Sequence, residues 1–235
     1  MPVKILNYQL KNELINRGSE FVSFVDISNL PENQNKGFTA AVIFGVSLSA
    51  GYLREVSQIP DYVPQMIRIK KIDEDEFHCK EIFTDHLADN LAEYLKKKGY
   101  SAYSQSEKNI AETGYYNETD KITPLPHKTI AGLAGMGWIG KHNLLVTPGY
   151  GSAISMCTVL TNAPVSTILF APAESKCGKC TICEDVCSVN AIKGNNWTIN
   201  ASRDELVDVT KCNTCLKCLV FCPWTQAYIK KQFSG

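Results

Sequence analysis

No stretch of this 235-residue chain is apolar for long enough to cross a membrane, and nothing at its start has the form of a targeting peptide. Neither sign of charge is in excess. The 24 Lys and Arg balance the 24 Asp and Glu, so no global field draws the chain to nucleic acid. Internal repeats and low-complexity segments are absent. Histidine is scarce: His78, His86, His127 and His142 show no metal-binding spacing, and the first two stand too far apart on one expected helix to share an ion. A membrane-spanning protein is thereby excluded as an expectation. The length still suffices for a sizeable core, in one large or two modest domains.

Cysteine is what the chain has in quantity. Eight of its ten cysteines fall in two runs, Cys177, Cys180, Cys183, Cys187 and Cys212, Cys215, Cys218, Cys222, the second followed by Pro223. Both runs read C-x2-C-x2-C-x3-C, the spacing that loads a 4Fe–4S cubane on three close thiolates and one remote one. The remote cysteine of each run serves the other cluster. The expected sets are therefore Cys177, Cys180, Cys183 with Cys222, and Cys212, Cys215, Cys218 with Cys187. A disulfide framework belongs to small secreted domains, and zinc prefers isolated C-x2-C pairs, so neither competes. Ser188 stands where a proline usually follows the remote cysteine; this loosens a turn and removes no ligand. Reduced thiols and cluster assembly together place the chain in the cytoplasm. Cys79 and Cys157, outside both runs, are expected as small buried apolar residues. Trp224 is expected to shield a cluster from water.

Along the chain, residues 3–17 predict a helix with Ile5, Leu6, Leu10 and Leu14 on its apolar side. Residues 21–28 and 39–49 predict strands, the second buried on both faces, with a loop at 31–37 between them. Residues 51–64 read as irregular around one short helix. The strongest helix is 74–98, with Phe83, Leu87, Leu91, Tyr94 and Leu95 on one face and Lys96 to Gly99 as its end. An edge strand over 100–106 and a polar surface loop over 108–126 follow. A helix over 127–134 leads to a turn at 135–140, and 144–147 with 153–161 predict a β-hairpin.

Gly135, Gly137 and Gly140 match G-x-G-x-x-G, but a helix precedes and a strand follows, the reverse of the dinucleotide fingerprint. That reading is rejected. Three glycines in six residues still require backbone to pass close to something, either another strand or a flat ligand.

The string HKTIAGLAGMGWIGKHNLLVTPGYGS (127–152), followed by CGKCTICEDVCSVNAI (177–192) and a late CPW (222–224), resembles the epoxyqueuosine reductases. These form part of a cobalamin-dependent group that includes the reductive dehalogenases. The resemblance is clear over about 125–224 and fainter over 21–100. It implies an α/β (α+β) fold: a nitroreductase or cobalamin-processing-like domain over 1–165, then a bacterial 2×4Fe–4S ferredoxin-like domain over 166–235. It also implies base-off cobalamin between the domains beside one cluster, and the sequence has no D-x-H-x-x-G motif to supply an axial histidine. Gly135, Gly137, Trp138, Gly140, Lys141 and His142 are the implied cofactor-binding residues. The group's proton donor is an Asp in a stretch that here reads TDKITPLPHK (119–128). Counting back from Lys128 puts Lys121 at that Asp and His127 at a Glu, so Asp120 becomes the donor through a one-residue shift of the loop.

The expected function is an iron–sulfur oxidoreductase. Electrons from a soluble donor of ferredoxin or flavodoxin type pass through both clusters to a corrinoid, which reduces a small substrate or is itself reduced. The small-molecule substrate is expected in a pocket under the 108–126 loop. The second cysteine run lacks the long insert of the tRNA-modifying enzymes. No helical repeats follow it either, so tRNA is not the expected partner. The alternative is a non-catalytic electron-transfer protein whose N-terminal domain binds a partner or a flavin.

Overall fold

The computed structural model describes residues 3–234 as a mixed α/β protein. Helix α1 (Val3–Asn16) leads into strand β1 (Phe21–Asp26), a short turn of helix α2 (Glu32–Asn35) and strand β2 (Ala40–Ser47). Two helices, α3 (Ala50–Gln58) and α4 (Tyr62–Arg68), occupy the region expected to be mostly irregular. Ser49 explains the first of them, since its hydroxyl accepts the Tyr52 N–H at 3.1 Å as an N-cap. The long helix α5 (Glu76–Lys97) ends as read, with Gly99 at φ +86° just past it. Strand β3 (Ala102–Ser104) follows, and the polar loop after it opens with a short helix, α6 (Glu107–Glu112). Helix α7 (His127–Leu133) precedes strands β4 (Trp138–Ile139), β5 (Leu145–Val146) and β6 (Ile154–Thr161). Four more helices complete the described chain: α8 (Ile182–Asp185), α9 (Arg203–Leu206), α10 (Lys217–Val220) and α11 (Pro223–Phe233).

Two compact units result, and neither is continuous in sequence. The first gathers residues 1–46, 80–135 and 155–171; the second gathers 47–79, 136–154 and 172–235. A single cut at residue 165 does not produce this division, because 47–79 and 136–154 group with the cysteine runs.

The first unit is built on a four-stranded sheet of order β1-β2-β6-β3. β1 pairs antiparallel with β2, from Phe21 opposite Gly45 to Asp26 opposite Ala40, and β3 pairs antiparallel with β6. The central strands β2 and β6 are buried almost throughout, as strands covered on both faces must be. Leu6, Leu10 and Leu14 of α1 and Leu87, Leu91 and Leu95 of α5 pack with Phe24, Val42, Phe44 and Val159. Each such leucine contributes on the order of 1.5–3 kcal/mol by leaving water. Ile5, read as part of the α1 apolar face, is instead exposed.

The expected hairpin of 144–147 with 153–161 does not form. The turn is present, since Thr147 and Gly151 exchange backbone hydrogen bonds, but β5 pairs back with β4 and β6 enters the larger sheet. Seven of the eight β6 residues are buried, and a two-stranded hairpin leaves such a strand half in water.

The second unit packs α3 and α4 with α10 and α11. Leu53, Val56, Val63, Leu219, Val220, Tyr228 and Ile229 form its core. The Lys217 ammonium donates to the carbonyls of Val56, Ser57 and Ile59 at 2.7, 3.0 and 3.0 Å, tying the second cysteine run to the end of α3. Among the described residues no helix is long and apolar enough to cross a membrane.

Candidate iron–sulfur site

All ten cysteines are free thiols, so the disulfide alternative is absent. Cys222 of the second run joins Cys177, Cys180 and Cys183 of the first, while Cys187 acts on Cys215 and Cys218, the latter also touched by Cys183. Cys177, Cys180, Cys183 and Cys222 surround a cavity of about 200 Å³, together with Lys141, His142, Lys176, Pro223 and Trp224. Burial pushes the Cys183 thiol up to about 11, and the neighbouring Cys177, Cys222 and Cys180 push it the same way. In the other set burial raises Cys215, with Cys212 and Cys187 adding to it. Cys218 is raised chiefly by burial, then by Cys215, Cys212, Cys183 and Cys187. Thiols in this state resist becoming thiolates until a cation joins them, which is what a metal cluster supplies.

The local backbone explains the crossing of the remote cysteines. Helix α8 carries Cys183 but stops at Asp185, so Cys187 leaves the helical path, and its sulfur accepts the Ala191 N–H at 3.2 Å. Cys222 precedes Pro223, which starts α11 with its fixed φ and fixes the direction in which Cys222 departs. Between Cys212 and Cys218, Thr214 and Leu216 have φ of +56° and +59°. Left-handed backbone at a β-branched threonine is costly, and such curled loops present N–H groups to anions and iron–sulfur clusters. The buried Asn213 Oδ1 and Trp138 Nε1 have no hydrogen-bond partner. Both lie with the thiols, Asn213 beside Cys212 in sequence and Trp138 packed against Cys222. These features fit two polynuclear groups rather than single ions. Among the described residues no three His, Cys, Asp or Glu side chains are placed to hold one metal ion.

The glycine string is explained inside the protein. A Cβ at Gly137 would collide with the Val146 carbonyl, because β4 and β5 pair here. At Gly140 it would meet the His142 ring at 2.8 Å, and at Gly135, with φ +70°, the Phe170 ring at 2.9 Å. Of the two expectations, close approach of a strand describes Gly137 on its Cβ side. Trp138 is buried at 2% exposure and meets Trp224 edge-on, with centroids 4.8 Å apart. Trp224 lines the cavity as expected, yet 36% of it faces solvent. The buried His142 accepts the Leu144 N–H on Nδ1 at 3.2 Å and lies 3.4 Å from the Ser152 hydroxyl through Nε2.

Asp120 and Gly135 belong to the first unit, and the other candidate residues to the second. Asp120 is exposed on a turn, where Asn117 Nδ2 donates to its carboxylate at 2.8 Å and its own N–H donates back to Asn117 Oδ1. His127, at the start of α7, is hydrogen-bonded through Nδ1 to the Thr158 hydroxyl at 2.9 Å, and burial pushes its imidazole down to about 4. Cys157 is fully buried, as expected, whereas Cys79 is exposed. A larger hollow of about 300 Å³ opens along α5, but it meets the 108–126 loop only at Asn109 and contains no thiol. Sequence reading missed Lys176 and Pro223 as cavity residues and Lys217 as an anchor. Position alone pointed to all three, since each adjoins a cysteine or lies within a run.

No family model matches the chain. It is 36% identical over 109 residues to an epoxyqueuosine reductase of Aliivibrio fischeri, a segment covering 46% of this chain and 27% of that one. Over 145 residues it is 28% identical to the Bacillus subtilis enzyme of the same name, covering 62% and 30%. The chain thus spans less than a third of the curated relatives it matches. A crystal structure of selenomethionine-labelled epoxyqueuosine reductase superposes with a TM-score of 0.57 at 16% identity, covering 96% of this chain and 67% of that one. A catabolic reductive dehalogenase superposes at 0.61 and 17% identity, covering 92% and 31%. Another epoxyqueuosine reductase of this fold was solved with a tRNA-Tyr epoxyqueuosine-modified stem loop. The expectation against tRNA, drawn from the compact second cysteine run, the lack of following helical repeats and the neutral net charge, is overturned by that similarity, and a whole-chain charge is in any case blind to local surfaces. Over part of its length the chain is similar in sequence to epoxyqueuosine reductases, and over nearly all of it its fold is similar to theirs and to that of reductive dehalogenases.

Proposed function

We propose that this chain is an iron–sulfur reductase of epoxyqueuosine reductase type. The single observation that carries the reading is the cavity where Cys222 of the second run joins Cys177, Cys180 and Cys183 of the first. Cys177, Cys180, Cys183 and Cys222 hold one 4Fe–4S cluster; Cys187, Cys212, Cys215 and Cys218 hold the other. The cysteine-bearing unit then corresponds to a ferredoxin-like module, and the sheet-bearing unit to the nitroreductase or cobalamin-processing-like domain. Assembly of such clusters places the protein in the cytoplasm.

A corrinoid, when bound, supplies a strongly reducing cobalt centre. One fold neighbour is a reductive dehalogenase whose structure suggests a mechanism for B12-dependent dehalogenation. On the side where a Cβ would stand, Gly135, Gly137 and Gly140 face Phe170, Val146 and His142, so packing within the chain already accounts for these glycines. The corrinoid is carried by the relationship alone, and no step is routed through it. What the chain's own residues do is narrower. The cysteines hold the clusters, Trp138 and Trp224 cover one side of the first, and Asp120 offers a carboxyl on a tethered, exposed turn. The substrate class is an oxygenated nucleoside carried on tRNA, after the relatives' names.

The test is anaerobic reconstitution followed by turnover on epoxyqueuosine-containing tRNA, with dithionite and cobalamin supplied. About eight irons per chain and formation of queuosine are expected. Iron near four per chain in the fully loaded protein sinks the two-cluster assignment. Full clusters and bound cobalamin without turnover sink the reductase reading.

A further inference from the structure

The cavity formed by Cys177, Cys180, Cys183 and Cys222 has a charge in its wall that the protein itself does not balance. Lys141 follows β4 in the turn to β5, lines the cavity beside these four thiols and is only 5% exposed. Among the described residues its side chain has no hydrogen-bond or ion-pair partner. A lysine so largely covered is seldom left without an acceptor, and the open side of this one is the cavity among the thiols. A second group makes the same demand. Trp138 packs against Cys222 with a buried Nε1–H that has no acceptor. An ammonium and an indole N–H, both wanting acceptors at one set of thiols, call for an anionic ligand. Four thiolates around an iron–sulfur cube are such a ligand.

The other set has different surroundings. Lys217, between Cys215 and Cys218, directs its ammonium to three backbone carbonyls at the end of α3. The Asp61 carboxylate, by contrast, acts electrostatically on Cys215. The Cys177 set thus has beside it an ammonium that no protein acceptor holds, whereas beside the other set the Lys217 ammonium is held by carbonyls and faces the opposing charge of Asp61.

We infer that Lys141 is the built-in counter-charge of the cluster held by Cys177, Cys180, Cys183 and Cys222, and that it makes this cluster the easier of the two to reduce. The inference rests on the two-cluster reading proposed above. On reduction the cluster takes one electron from an external donor, dithionite in the test. No bond forms or breaks, and the added negative charge stays on the iron–sulfur core. Lys141 opposes that charge electrostatically. Electrons entering the chain then come to rest on the Cys177 set.

The experiment is a redox titration with dithionite, followed by electron paramagnetic resonance, on the full chain reconstituted anaerobically. Lys141→Met is expected to keep its iron and to move the midpoint of one cluster to more negative potential. At fixed potential its reduced-to-oxidised ratio should fall at least about tenfold, the effect of one charge within about 12 Å at an effective dielectric of about 20. Lys141→Arg should restore the midpoint, and the other cluster should keep its own. Two loaded clusters with unchanged midpoints in Lys141→Met overturn the inference while the two-cluster reading stands. Loss of iron from the wild type overturns both. Should Lys141→Met fail to fold, single-cluster variants decide. Cys187→Ala, which keeps the Cys177 set, should titrate at a higher potential than Cys183→Ala, and the reverse order overturns the inference.

Discussion

Cys187 is four residues from Cys183, yet its thiol acts on Cys215 and Cys218, because α8 ends before it and the chain turns away. The grouping has a direct consequence for iron counts. Cys183→Ala with Cys222→Ala removes two ligands from one set, so about four irons per chain should remain, as in either single variant. Cys183→Ala with Cys187→Ala damages both sets and should leave almost none. The reverse pattern, about four irons kept with Cys183→Ala and Cys187→Ala and almost none with Cys183→Ala and Cys222→Ala, would mean that each run holds its own cluster. His127 gives a prediction of a different kind. Its folded pKa of about 4 lies below the ordinary 6.5, so between these values the unfolded chain binds more protons. Stability should therefore be complete above about pH 6.5 and fall as the pH drops toward 4, by no more than about 3 kcal/mol. Thermal melts of the wild type against His127→Gln across that window check it, since the variant should lose most of the slope.

Among the elements, α3 and the 138–146 hairpin contribute most to the cysteine-bearing unit without containing a ligand. The carbonyls at the end of α3 are satisfied by Lys217, so one side chain both closes a helix and holds the loop between Cys215 and Cys218. Lys217→Met strips those carbonyls of their charged donor, a loss of about 1.5–3 kcal/mol. We expect the variant to fold and to lose about half of its iron to a chelator faster than wild type does. Uniform release from both clusters would show that the anchor is not specific to the second set. In the hairpin, the register that sets Trp138 opposite Val146 brings the Val146 carbonyl against Gly137. Gly137→Ala should cost about 1–3 kcal/mol by overpacking, read as a lowered melting temperature. An unchanged melting temperature would return this glycine to the role of a ligand cradle.

For the whole molecule, the decisive feature is that the polypeptide leaves and re-enters each unit. The cluster-bearing unit draws on 47–79 for α3 and α4 and on 136–154 for Trp138, Lys141 and the small hairpin. A fragment of residues 166–235 contains every run cysteine but lacks the partners of Leu219, Val220, Tyr228 and Ile229 in the core. Reconstituted alone, it should bind iron weakly and give broad, heterogeneous spectra. Two well-formed clusters in that fragment would show that the C-terminal segment folds independently.

Much of this was already written in the sequence, because it depends on neighbours along the chain. Cysteine spacing pointed to the grouping of the thiols, apolar period determined the buried faces of α1 and α5, and Gly99 marked a helix end. The runs and the string around Gly137 also pointed to the group of relatives that the comparisons found. What only the tertiary structure decided depends on residues far apart in sequence. The pairing of β5 with β4, and of β6 with the large sheet, is set by burial of β6 on both faces, which no local turn signal encodes. Likewise, that Gly137 meets a strand and that Lys141 lies buried among four thiols follow from packing across dozens of intervening residues. A motif names the residue types at such a place; only the folded chain determines which atoms they face.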